Sequence, residues 1–115
     1  MRYMLVIYGS GDDWTQRPPE ENEPILAQHQ SFTEDLRKAN AFVAAEALHA
    51  PSSVTTIRMR GTEPVLTDGP FIETKESIGG FYLIDVDNLD QALEWGQRLA
   101  RFEENAIEVW PVVEM

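Results

Sequence analysis

The stretch Gly79–Val86, which reads Gly-Gly-Phe-Tyr-Leu-Ile-Asp-Val, is the clearest strand in the sequence. Alternate residues of a strand point to opposite faces of a sheet, so Phe81 and Leu83 share one face and Tyr82 and Ile84 share the other. Both pairs are apolar, whereas a sheet with one face in water alternates apolar with polar residues. The stretch therefore predicts a strand that is covered on both faces.

Other runs in the chain have the length and composition of strands, and two segments between them have helical periodicity. The predicted strands, besides this one, are Tyr3–Tyr8, Ala41–Leu48, Val54–Arg60, Val65–Leu66 as a short piece or hairpin arm, and Ala106–Val113. The order β-α-β-β-β-α-β predicts an α+β domain with a ferredoxin-like, split βαβ antiparallel sheet. Both helices are expected on one face, because crossover connections are right-handed.

The two helices are predicted from spacing and from their ends. Pro24 suits the first turn of the first helix, which is expected to finish near Asn40, a residue that tolerates the left-handed conformation. Its apolar face consists of Ile25, His29, Phe32 and Leu36. The second helix begins after a capping box, in which Asn88 is the cap and Gln91 is the third helical residue.

Two short helices cannot cover both faces of such a sheet. The first strand, Tyr3–Tyr8, is also apolar on both sides. An exposed face of this kind would exceed the few hundred Å² of apolar patch that a monomer usually tolerates. We therefore expect a homodimer, in which two sheets stack face to face as a dimeric α+β barrel and enclose a space for a small-molecule ligand.

Length and composition exclude several classes of protein. A chain of 115 residues predicts a single domain over residues 1–115, and its net charge of −11 argues against nucleic-acid partners and anionic lipid. The absence of cysteine removes disulfides, zinc–thiolate sites and a thiol nucleophile. No apolar run approaches a membrane span and no signal peptide is evident, so a cytoplasmic location is expected.

His29 and Asp68 are the candidates for chemistry. His29 lies on the apolar face of the first helix, where imidazole is either a structural, hydrogen-bonded group or a general acid/base that lines a pocket. Asp68 precedes a tight Gly69-Pro70 bend, where most aspartates bond only to their own backbone. If the two side chains meet, the carboxylate could orient the imidazole.

Further pocket residues are predicted on the strands and after the bend. Arg58 and Arg60 share a face of one strand and could hold a carboxylate or phosphate, although a solvated hairpin is the alternative. Phe71 and Tyr82 are also expected to line the pocket. Trp110, on the last strand, could anchor an interface. No flavin, nicotinamide or metal motif is present, so no cofactor is expected.

The central block of the chain resembles one known family. Asp68-Gly69-Pro70-Phe71, followed by Glu73-Thr74-Lys75-Glu76 and Gly79-Gly80-Phe81-Tyr82, is similar to the signature of the DGPF group of YCII-related proteins. The resemblance implies a dimeric α+β barrel with a His–Asp pair at a cleft, carried here by His29 and Asp68. It also implies a genomic association with extracytoplasmic-function sigma factors. Trp110 departs from the pattern, since the family usually has arginine there.

Three functions are compatible with these observations. The leading hypothesis is an enzyme in which His29 and Asp68 move a proton on a small organic molecule, as in an isomerisation or elimination. The alternative is a non-catalytic binding or regulatory module, linked to a sigma factor. In the third, Asp68 fixes the bend and His29 fills the core.

Overall fold

The computed structural model describes residues 1–72 and 75–115, so the predicted signature residues Glu73 and Thr74 lie outside the described residues. Six strands, two long helices and two short 3₁₀ turns make up the described chain. In order they are β1 (Arg2–Gly9), a turn at Trp14–Gln16, α1 (Pro19–Lys38), β2 (Phe42–Ala47), a turn at Pro51–Ser53, β3 (Thr55–Arg60), β4 (Glu63–Asp68), β5 (Ser77–Asp85), α2 (Leu89–Glu103) and β6 (Ile107–Pro111).

Four of the strands form one antiparallel sheet in the order β2-β5-β1-β6. β5 lies between β1 and β2 and runs against both, so β1-α1-β2 is a split βαβ unit; β1 likewise separates β5 from β6. This is the ferredoxin-like α+β arrangement that the sequence predicted.

Both helices pack on one face of the sheet, as predicted. Directly paired residues share a face, so Leu5 of β1 and Tyr82 of β5 point to the same side. They belong to one core cluster with Phe32 and Leu36 of α1 and Leu99 of α2. Full burial of an apolar side chain of this size contributes roughly 1.5–3 kcal/mol, so this layer holds the helices to the sheet.

The opposite face of the sheet is also rich in apolar residues. Val6 pairs with Phe81, and Met4 pairs with both Leu83 and Trp110. In the described part of the chain the core helices lie on the other side, and Trp110 is 54% exposed. The two-faced pattern of the sequence is therefore real. Val6 is buried on this face, whereas Met4, Phe81 and Leu83 are partly exposed, so one chain covers the face incompletely.

β3 and β4 form a separate hairpin that stands away from the four-stranded sheet. Ile57, Met59 and Leu66 are each more than 60% exposed along it. The radius of gyration is 16.1 Å, against about 13 Å for a compact chain of this length. Val65–Leu66 is thus part of a full hairpin arm, one of the two alternatives that the sequence left open.

The helix ends agree with the sequence except at one point. α1 begins at Pro19, with Pro24 inside it, so the predicted start at Pro24 was wrong by about five residues. Proline is well tolerated at the first helical position, which Pro19 occupies. Asn40 has a φ of 55°, and Asn88 caps α2 by accepting a 3.0 Å hydrogen bond from the Gln91 amide, both as predicted. None of the helices in residues 1–72 and 75–115 has the length and hydropathy needed to cross a membrane.

Candidate functional site

His29 lies where three elements meet, and both of its ring nitrogens have a partner. On one side, Nδ1 lies 2.7 Å from the Tyr82 hydroxyl of β5. On the other side, Nε2 is hydrogen bonded to the Glu103 carboxylate in the last turn of α2. α1, β5 and α2 therefore each contribute one member of a continuous chain of polar groups.

Aromatic rings surround the hydrogen-bonded cluster Tyr82–His29–Glu103 and limit its contact with water. The Phe102 ring packs edge-on against His29 with a centroid distance of 4.9 Å, and Phe32 packs in the same way against Tyr82 at 5.0 Å. The side chains of His29 and Glu103 are only 23% and 16% exposed. Hydrogen bonds to a charged carboxylate in such a place are stronger than at a fully wetted surface.

The protonation state of Tyr82 bears on the direction of the hydrogen bonds in the Tyr82–His29–Glu103 cluster. Burial raises the pKa of Tyr82; a hydrogen bond with Thr33 lowers it in part, and the negative charge of Glu103 raises it again. The phenol therefore keeps its proton at neutral pH and can donate it to Nδ1 of a neutral His29. This assignment leaves the Nε2 proton directed at Glu103.

A cavity of about 690 Å³ opens beside the Tyr82–His29–Glu103 cluster, at the end of the sheet where α1 begins and α2 ends. His29, Tyr82 and Glu103 line it, together with apolar residues such as Ile25 and Phe102. Its volume is in the range of cavities that hold small organic ligands. Its lining combines apolar side chains with converging polar groups, and such a combination is typical of a binding site for small molecules.

The width of the cavity on the β2 side depends on Gly80. A Cβ atom built at Gly80 would lie 2.8 Å from the backbone oxygen of Glu46, a distance that real Cβ atoms essentially never show. The glycine therefore allows β2 to approach β5 closely at the point where both strands line the cavity.

The other predicted site residues lie mainly on the hairpin. Asp68 is exposed at the end of β4, opposite Thr55, and the Arg58 guanidinium lies 5.1 Å from the centroid of the Phe71 ring. Asp68, Arg58 and Phe71 are not among the described residues that line the cavity. The His29–Asp68 hydrogen bond is thus not formed within one chain, and it stays a prediction for an assembly of two.

Trp110 belongs to a different polar cluster, on the face of the sheet without helices. Glu108 accepts hydrogen bonds from Trp110 Nε1 at 3.0 Å and from the Tyr8 hydroxyl at 2.8 Å. The hydrogen bond from Trp110 lowers the pKa of Glu108 most, and the bond from Tyr8 lowers it further. The hydrogen bond to Glu108 raises the pKa of Tyr8. Trp110 thus orients a carboxylate on this face instead of lining the cavity around His29.

Glu103 was missed in the sequence, although a signal for it exists. It follows the buried Leu99 by four residues, so it lies on the face of α2 that packs toward the sheet. A carboxylate on such a face requires a partner. The periodicity could have indicated Glu103 as a buried acid, but the identity of its partner depends on how α1 and α2 pack together.

The fold and this site together define a small α+β domain with a cavity at one end of a ferredoxin-like sheet. The chain belongs to the YCII-related family, since the YCII-related domain matches residues 1–115. It is similar to the uncharacterised protein R00369 of Rhizobium meliloti (strain 1021), with 30% identity over 100 residues. That match covers 87% of this chain and 81% of the relative. In residues 1–72 and 75–115, no three His, Asp or Glu side chains are grouped to hold a metal ion.

Proposed function

We propose that the cavity binds a small organic molecule and that the His29–Glu103 pair exchanges a proton with it, in an isomerisation or elimination. The observation that carries this proposal is the hydrogen-bonded chain Tyr82–His29–Glu103 on the wall of the cavity. The carboxylate partner expected from the sequence was Asp68. Within one chain Glu103 takes that place.

The chain of groups suits acid–base chemistry because it accommodates His29 in either protonation state. A neutral imidazole accepts from the Tyr82 hydroxyl and donates to Glu103. A protonated imidazole donates from both nitrogens, to the Tyr82 oxygen and to the Glu103 carboxylate. Neither state leaves a ring nitrogen without a partner, so the site gains or loses a proton without disrupting its hydrogen bonds.

Since both nitrogens of His29 are engaged, the group that touches the ligand is the Glu103 carboxylate. In the proposed step, Glu103 takes a proton from a C–H bond next to a carbonyl, and the electron pair moves to the carbonyl oxygen as an enolate. Return of the proton to a different carbon completes an isomerisation, and loss of a neighbouring leaving group completes an elimination. His29 holds the carboxylate in place through the hydrogen bond from Nε2.

The test is exchange of carbon-bound hydrogen for deuterium from solvent, followed by NMR over a panel of small ketones, lactones and esters. We expect His29→Gln and Glu103→Gln to lower the exchange rate by about 10²- to 10⁴-fold while circular dichroism shows intact folding. Glu34→Gln, which alters an exposed glutamate on α1 outside the lining of the cavity, is the matched control and should keep the rate. Full activity in both cavity variants would refute the proposal.

We propose further that the chain forms a homodimer through the face of the sheet that carries no helix. The support is the row of partly exposed apolar residues Met4, Phe81 and Leu83, with Trp110 54% exposed beside them. Sedimentation velocity should give twice the chain mass at micromolar concentration. Trp110→Glu should shift the protein toward the monomer, and Leu89→Glu, a half-exposed leucine at the start of α2, should not. A monomeric wild-type protein contradicts this assembly.

A non-catalytic module that responds to a ligand, such as a partner of an extracytoplasmic-function sigma factor, is the second candidate. It is favoured by the same fact that both nitrogens of His29 are satisfied within the protein. In that case, His29→Gln alters neither ligand affinity nor association with a basic partner protein, and no panel compound exchanges deuterium. Loss of exchange with intact ligand binding favours the enzyme instead.

A further inference from the structure

The charge on the cavity wall is strongly one-sided. The described lining residues include one guanidinium, that of Arg17, two histidines, His29 and His49, and five carboxylates: Asp12, Glu21, Glu46, Glu103 and Glu104. Arg17 is already engaged by Asp12, with 3.7 Å between their charged atoms, and Glu103 is engaged by His29. Glu21, Glu46 and Glu104 therefore remain without a lysine or arginine opposite them in the described lining.

This excess of negative charge determines which ligands the cavity attracts. A cleft lined by charges of one sign concentrates their field and raises the local concentration of counter-charged molecules. The whole chain carries a net charge of −11, so the field outside the cavity has the same sign. Carboxylates and phosphates are repelled on approach, whereas ammonium groups are drawn in.

Aromatic rings add a second, independent preference for cations. Trp14, Tyr82 and Phe102 all line the cavity, and rings of this kind attract a cation placed over their faces. Trp14 has a fixed backbone position, because the buried Asn22 amide of α1 donates a 2.9 Å hydrogen bond to its carbonyl oxygen. The same rings also bury the apolar part of an organic ligand.

We propose that the ligand of this cavity is an organic cation, that is, an amine or other ammonium compound with an apolar body. The proposal rests on the proposed function in one respect, namely that the cavity is the ligand site. It does not depend on catalysis, because the charge of the wall acts on binding whether or not a proton is then transferred.

Three compounds of matched shape test the preference: phenethylamine, phenethyl alcohol and phenylpropanoate, titrated into the full-length protein by calorimetry at neutral pH. We expect phenethylamine to bind at least about tenfold more tightly than phenylpropanoate, with the alcohol between them. Added salt should weaken the binding of phenethylamine and leave the binding of phenethyl alcohol unchanged. Equal or tighter binding of phenylpropanoate overturns the proposal, as does the absence of binding by phenethylamine.

Variants assign the preference to the wall. Glu21→Gln and Glu46→Gln should each weaken phenethylamine by about threefold and leave phenethyl alcohol unchanged. Glu34→Gln, an exposed glutamate on α1 outside the lining, is the matched control. If all three variants weaken the binding of phenethylamine equally, the carboxylates that line the cavity do not cause the preference for the amine. Retained amine binding in a protein without deuterium exchange rejects the acid–base proposal alone, so the two failures are distinguishable.

Discussion

His29 and Asp68, which the sequence placed in one site, lie in regions of opposite character. The surroundings of His29 are complete within one chain, with two hydrogen-bond partners and three packed elements. Asp68 lies at the base of a hairpin whose apolar side chains face solvent. The contrast shows that residues of one family signature need not share a site within a single chain, even when the fold around them is the expected one.

The largest difference between the two regions should appear in stability. Phe32 is fully buried beneath His29, so Phe32→Ala should lower the free energy of unfolding by about 3–5 kcal/mol in urea. Ile57 is 64% exposed on the hairpin, and Ile57→Ala should change it by about 0.5 kcal/mol or less. A cost for Ile57→Ala that grows with protein concentration would show that a second copy also covers the hairpin.

Tyr82→Phe tests the polar chain itself. Loss of the hydroxyl removes the hydrogen bond to His29 and should cost about 1 kcal/mol at neutral pH. The folded pKa of Tyr82 is raised above its ordinary value of 10.0, so its contribution is present below that value and is lost as the pH rises through the folded pKa. Alkaline unfolding should therefore be less steep in the variant, as measured by circular dichroism. Identical alkaline profiles would contradict this.

Paired carboxylate substitutions compare the two regions directly. Glu103→Gln should move the His29 ring nitrogen resonances in NMR, because the amide replaces a charged acceptor on Nε2. Asp68→Asn should leave them unchanged in a monomeric sample. If Asp68→Asn moves them only at concentrations where the protein is associated, the predicted His29–Asp68 pair forms between two chains.

The smallest expected effect on stability concerns the cluster of Tyr8, Glu108 and Trp110 on the face of the sheet without helices. The pKa of Glu108 is lowered in the folded state, so its contribution to stability is present above its unfolded pKa and is lost as the pH falls through the folded value. Urea unfolding at pH 7 and near pH 3 should show a slightly larger acid loss for the wild type than for Glu108→Gln. An equal loss would mean that the bonds from Trp110 and Tyr8 contribute nothing in solution.

Much of the fold was predictable because its determinants are local. Apolar residues on both faces of Tyr3–Tyr8 and Gly79–Val86 indicated buried strands, and Asn40 and Asn88 marked helix ends through their own conformation and hydrogen bonds. The start of α1 was misplaced because two separate prolines, Pro19 and Pro24, both suit a first turn. Local preference alone does not choose between them.

The site was less predictable because it depends on the packing of distant segments. His29 and Tyr82 were both identified, but Glu103 joins them from a residue 74 positions after His29. The direction of the hairpin that carries Asp68 depends on the connections around Ser53 and Phe71, which have no periodic pattern. Sequence could therefore indicate which side chains are capable of chemistry, and only the tertiary structure shows which of them are neighbours.

Gly80 has a consequence for how this family can diversify. The width of the cavity is set partly by a main-chain contact, since β2 approaches β5 where Gly80 has no side chain. Alanine at this position would push the edge strand outward and reshape the binding space without altering any group that touches the ligand. The shape of the cavity can thus change through a residue that no inspection of the lining side chains would bring to notice.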